Sequence, residues 1–66
     1  MWRLTQNGQT MICELHSDER AGAGWEVVLK LDDEWLFGRR CPEQWFARFV
    51  ANGLKQDHVN RGWTEA

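Results

Sequence analysis

Four side chains in this chain have the chemistry to bind a metal: Cys13, His16, Cys41 and His58. Two thiols and two imidazoles form a zinc-compatible set. Their spacing argues against one shared ion. In a strand, residues three apart point to opposite faces, so Cys13 and His16 diverge unless a bulge intervenes. Cys41 closes another strand and His58 falls late in a helix, so the expectation is no metal and no cofactor. Nucleophilic catalysis would need Cys13 or Cys41 beside a histidine and an orienting acid. Both thiols are expected in the core, and so small a domain leaves little room for a substrate pocket. The expectation is therefore a protein that is not an enzyme. A Cys13–Cys41 disulfide needs Cα atoms within roughly 7 Å. In a simple meander an intervening strand holds the two apart, at about two strand spacings.

A second chemistry is electrostatic. Arg39, Arg40 and Arg48, with Lys55 and Arg61, could form a basic patch. Sheets that bind single-stranded nucleic acid combine such cations with exposed aromatic rings. Against this, Glu26 faces Arg40 across a hairpin, and the rings are expected beneath the helix. The formal net charge is −2, from eight basic and ten acidic residues, with the signs interspersed. Long-range steering toward nucleic acid or an anionic membrane gains nothing from that balance. No stretch approaches the roughly 18 apolar residues of a membrane span. The N-terminal segment reads as a strand rather than a signal peptide. A cytoplasmic chain with free thiols, complete as a small reading frame, is the expectation.

The elements that position these residues begin with a hairpin. Asn7-Gly8 is the strongest short turn signal, because both central residues of a type I′ turn need positive φ. Folding there sets Leu4 opposite Met11 and Trp2 opposite Cys13. One face is then apolar (Trp2, Leu4, Met11, Cys13, Leu15), while Arg3, Thr5, Thr10, Ile12 and Glu14 take the other. Strands are expected over about 2–6, 9–16, 25–31 and 35–41. Residues 17–24 read as a polar, glycine-rich flexible loop. A three-residue turn, Asp32-Asp33-Glu34, would pair Leu31 with Trp35, Leu29 with Phe37, Val27 with Arg39 and Trp25 with Cys41. A two-residue loop would instead set Trp35 and Phe37 opposite Lys30 and Val28. The three-residue register gathers the heavy side chains on one face, although such loops usually want glycine at the αL position.

Pro42 suits the first position of a helix over about 42–61. Trp45, Phe46, Phe49, Val50, Gly53 and Leu54 follow a helical stripe expected to face the sheet, with Gly53 permitting close approach. A continuous helix stopped by Gly62, with Trp63 packing back, is preferred over a Schellman stop at Asn52-Gly53. Residues 64–66 should fray. The resulting fold class is α+β: a four-stranded antiparallel meander of two hairpins, with one C-terminal helix packed on one face, in a single domain 1–66. So short a chain has a marginal core unless its side chains are heavy. Here five tryptophans and three phenylalanines supply that mass.

Gly24-Trp25-Glu26-Val27-Val28-Leu29, the acidic turn, the strand ending Arg40-Cys41 and the close at Arg61-Gly62-Trp63 form a pattern over residues 24–63. It resembles short uncharacterised bacterial proteins that join an antiparallel meander to one C-terminal helix and finish in Gly-Trp. Those proteins carry no known activity, so the resemblance implies the fold and transfers no site residues.

The outer sheet face carries the remaining feature. Ile12, Val28 and Leu36 should lie there, rimmed by Glu26 and Lys30 among other charges. A rimmed apolar spot is a common interface signature. The function expected is a small non-enzymatic interaction or regulatory module, acting as a homodimer or by docking on a larger protein. The alternative is a single-stranded nucleic-acid-binding module using Arg39, Arg40, Arg48 and exposed tryptophan.

Overall fold

A computed structural model describes residues 1–17 and 24–66. Most of the glycine-rich loop expected at 17–24 therefore lies outside the described residues. The elements are β1 (Trp2–Gln6), β2 (Gln9–Ser17), β3 (Trp25–Leu31), β4 (Glu34–Cys41), α1 (Gln44–Asn60) and β5 (Thr64–Glu65). The class is α+β, with one antiparallel sheet in the order β4-β3-β2-β1-β5.

The first hairpin follows its turn chemistry. Asn7 and Gly8 have φ of 53° and 81°, the doubly positive pair of a type I′ turn. Leu4 then pairs with Met11 and Trp2 with Cys13. Leu4, Met11 and Cys13 are buried, and β3 adds Val27 and Leu29 to the same face.

The second hairpin departs from the expected register. Its turn has two residues, Asp32 and Asp33, at φ 50° and 70°. This is again type I′ geometry, whose twist matches the strands it joins. Asp32 is held in it by two hydrogen bonds to Thr10 of the neighbouring strand β2. Asp32 N–H donates to the Thr10 carbonyl at 2.8 Å, and Asp32 Oδ1 accepts from Thr10 N–H at 2.9 Å. The tight turn sets Glu34, not Trp35, opposite Leu31, and moves Trp35 opposite Lys30. A bulge then restores the expected pairs: Leu29 with Phe37, Val27 with Arg39 and Trp25 with Cys41. Leu36 is the extra residue, with no partner across the ladder.

Helix α1 begins at Gln44 rather than Pro42, with Glu43 as N-cap. It runs unbroken through Gly53 and ends in a Schellman motif. Gly62 N–H donates to the Val59 carbonyl and Trp63 N–H to the His58 carbonyl, with Gly62 at φ 100°. Trp63 packs edge-on against His58, ring centroids 6.0 Å apart. Residues 64 and 65 do not fray. They form β5, pairing Thr64 with Thr5 and Glu65 with Leu4, so the sheet has five strands rather than four.

The helix face is rotated from the expected one. Ala47 and Ala51, one turn apart, are fully buried. Their small side chains let α1 approach β3, with β2 and β4 alongside. Trp2 Nε1 donates to the Ala51 carbonyl at 2.9 Å and ties the helix to β1. Phe46, Val50 and Leu54 pack on the flanks of the core. Trp45 and Phe49 point away from it, 66% and 69% exposed. Gly53 also faces solvent, and a Cβ there would meet nothing within 4 Å. The stripe went to alanine because a tryptophan beneath the helix axis would hold the helix off a sheet already filled by Trp2, Val27 and Leu29.

Candidate protein-docking surface

The two edges of the sheet differ sharply. Beside β1, the edge is the two-residue β5, held to α1 by an ion pair between Lys55 and Glu65. The hydrogen bonds to Lys55 hold the Glu65 carboxyl below its ordinary range. The other edge is β4, eight residues long. It exposes Trp35, Leu36 and Phe37 in succession, at 65%, 50% and 38%. A long edge carrying apolar side chains offers a row of unpaired backbone groups to another chain.

The aromatic surface continues from β4 onto the helix. Phe37 and Arg39 share the inner side of β4, opposite Leu29 and Val27. The Arg39 guanidinium sits over the Phe46 ring, 5.5 Å from its centroid. Phe46 in turn contacts Trp45 at 5.6 Å and Phe49 at 6.5 Å between centroids. Trp45 Nε1 donates to the Glu43 carboxylate, which fixes its ring at the helix start. Arg39 thus links the inner side of β4 to the aromatic ridge on the helix. Trp35 lies on the other sheet face. Its indole covers Gly38, where a Cβ would stand 3.0 Å from Cζ2. A side chain at this position would press the ring outward by a few tenths of an ångström.

The outer-face residues singled out in the sequence are placed as follows. Ile12 is half-buried between Arg3 and Lys30. Val28 is only 5% exposed. Its neighbours across the ladder are Glu14 and Gly38, and the Trp35 ring covers the latter. Glu14 accepts from His16 at 2.9 Å and from Lys30 at 3.1 Å. These two bonds, that to His16 first, hold the Glu14 carboxyl below its ordinary range. Glu26 is exposed and pairs across the ladder with Arg40. Val28 is thus buried among charged side chains and an indole, Ile12 keeps part of its surface, and Leu36 is half-exposed.

The cations of the nucleic-acid reading do not converge. Arg39 and Arg40 point to opposite faces of β4. Arg48 lies on the far flank of α1, lining a 590 Å³ groove with Trp2, Leu15, Trp25 and Asn52. Cys13 and His16 also point to opposite faces, one fully buried and the other exposed. Burial pushes the Cys13 thiol up from 9.0 to about 11, far from the thiolate a nucleophile requires. Cys41 is buried as well, and both cysteines are free thiols.

Sequence reasoning missed Trp35, Phe37, Trp45 and Phe49 as surface residues. The signal that could have found two of them is the Ala47/Ala51 pair. Centring the buried stripe on these small residues turns Trp45 and Phe49 outward.

Among the described residues, no helix is long and apolar enough to cross a membrane. No protein-family model, curated protein or solved structure matches the chain.

Proposed function

We propose that this chain is a small, non-enzymatic protein-interaction module whose working surface is the open edge of β4 together with the aromatic ridge on α1. The observation that carries the reading is the exposure of five large apolar side chains, Trp35, Leu36, Phe37, Trp45 and Phe49, on one edge and the adjoining helix. In so small a core, each aromatic left outside forgoes burial worth about 1.5–3 kcal/mol. A surface that recovers that energy on binding accounts for the pattern. Backbone pairing along β4 would supply affinity, and the rings would supply selectivity. The separation of Arg39, Arg40 and Arg48 favours a protein partner over a nucleic-acid strand.

The test is site-specific photo-crosslinking in cells expressing the chain. A benzophenone side chain is placed at Phe37 or Phe49, with Gln9 on the far hairpin as control. Discrete adducts at the first two positions and none at Gln9 support the reading. Equal or absent adducts at all three overturn it.

A further inference from the structure

The chemistry of β4 goes further and specifies a partner. We propose that the open edge of β4 pairs with β4 of a second copy, antiparallel about a two-fold axis. This gives a ten-stranded sheet with both helices on one side. The inference rests on the interaction surface proposed above and names its occupant.

Charge is the first argument. β4 begins at Glu34, directly after the acidic turn Asp32-Asp33, and carries Arg39 and Arg40 near its other end. An antiparallel two-fold pairing lays the acidic start of each strand against the basic end of the other. Parallel pairing would stack like on like. Opposite charges across a ladder favour one register and orientation. The bulge places Glu34 and Arg39 both on the inner face, opposite Leu31 and Val27. The pair can therefore meet its counterpart on the same side of the joined sheet.

Area is the second argument. At the observed exposures, Trp35, Leu36, Phe37, Trp45 and Phe49 offer roughly 500–700 Å² per copy. A stable interface needs about 800 Å² per partner, and the paired backbone of the edge itself supplies the rest. Geometry agrees. With α1 lying over β3, the two helix axes would stand about three strand spacings apart, roughly 14 Å. That exceeds the 8–10 Å of helices in direct contact, and leaves a channel floored by Phe37 and walled by Phe46 and Phe49 from each copy. Interleaved phenyl rings fill such a gap.

The experiment is absolute mass by light scattering on the full chain across a hundredfold concentration range, for wild type, Glu34→Arg, Arg39→Glu and an equimolar mixture of the two variants. Wild type should approach 15.6 kDa, twice the 7.8 kDa of one chain. Each variant alone should stay near 7.8 kDa, its dissociation constant raised tenfold or more. The mixture should regain the larger mass, because the exchanged charges are complementary again. Leu36→Lys, at an exposed site, serves as a second variant should either charge change disturb folding, and should also be monomeric. A wild type that is monomeric throughout overturns the second-copy proposal. So does a dimer indifferent to all three substitutions. A monomer that still forms discrete crosslinks from Phe37 to a different protein would leave the docking surface standing with another occupant.

Discussion

Asp33→Gly should make this protein more stable, by an amount the turn geometry sets. Asp32 and Asp33 both sit at positive φ. That region costs an L-residue roughly 1–2 kcal/mol. Asp32 has compensation, since its carboxylate holds the Thr10 amide, so it should be left alone. Asp33, exposed at φ 70°, is the residue to change. Glycine removes the steric cost but adds about 0.4–1 kcal/mol of freedom to the unfolded chain. The net gain should be about 0.5–1 kcal/mol. For 66 residues, an unfolding entropy near 2.1 cal/mol/K per residue converts this to a rise in Tm of roughly 4–7 °C. Calorimetry at fixed protein concentration measures it, because association would itself shift Tm. Asp33→Asn is the control, removing the charge while keeping a side chain that tolerates this backbone. A gain for glycine well above that for asparagine confirms backbone relief. Equal gains would assign the effect to charge, and no gain would refute the type I′ assignment.

Two helix glycines should respond in opposite directions. Gly53→Ala lies in an exposed helix interior with open space around a new Cβ, and should stabilise by about 1 kcal/mol. Gly62→Ala should destabilise by at least about 1 kcal/mol, because φ is 100° and a Cβ would stand 2.9 Å from Gln6 Nε2; chemical denaturation reads both. The Cys13 thiol titrates near 11 in the fold against 9.0 when free. The unfolded chain therefore loses its proton first, and stability should fall as pH rises from 9 toward 11, by up to about 2–3 kcal/mol. Cys13→Ala should flatten that slope in urea titrations across the same range, whatever its cost at neutral pH. Glu14 works in the reverse sense. Its carboxyl is held below the ordinary range, so its contribution is present above that range and fades in acid, and Glu14→Gln should remove that part of the acid response.

How much could be read from the residues depended on whether local and global signals agreed. Asn7-Gly8 was legible because turn chemistry and two-residue alternation specify the same register, and the pairs Leu4 with Met11 and Trp2 with Cys13 followed. Gly62-Trp63 was legible because glycine is the residue that ends a helix with positive φ. At Asp32-Asp33 the signals conflicted. Gathering Trp35 with the inner apolar set required a third loop residue, whereas the backbone took the tighter turn and absorbed the difference in a bulge at Leu36. Each register considered holds for part of the hairpin. The helix face is not legible from side-chain mass, because the deciding quantity is how closely the helix can approach the sheet, and that favours Ala47 and Ala51 over Trp45 and Phe49. Strand β5 has two residues, too few for any pattern, and exists through its bonds to β1 and the Lys55–Glu65 pair.

Strand pairing along the open edge of β4 should be visible in amide hydrogen exchange. Exchange would be followed residue by residue in dilute and in concentrated protein. Amides within Glu34–Cys41 should slow as concentration rises, while those of Thr64–Glu65 on the opposite edge should not change. Concentration-independent exchange along β4, or slowing confined to the β5 edge, would contradict that pairing.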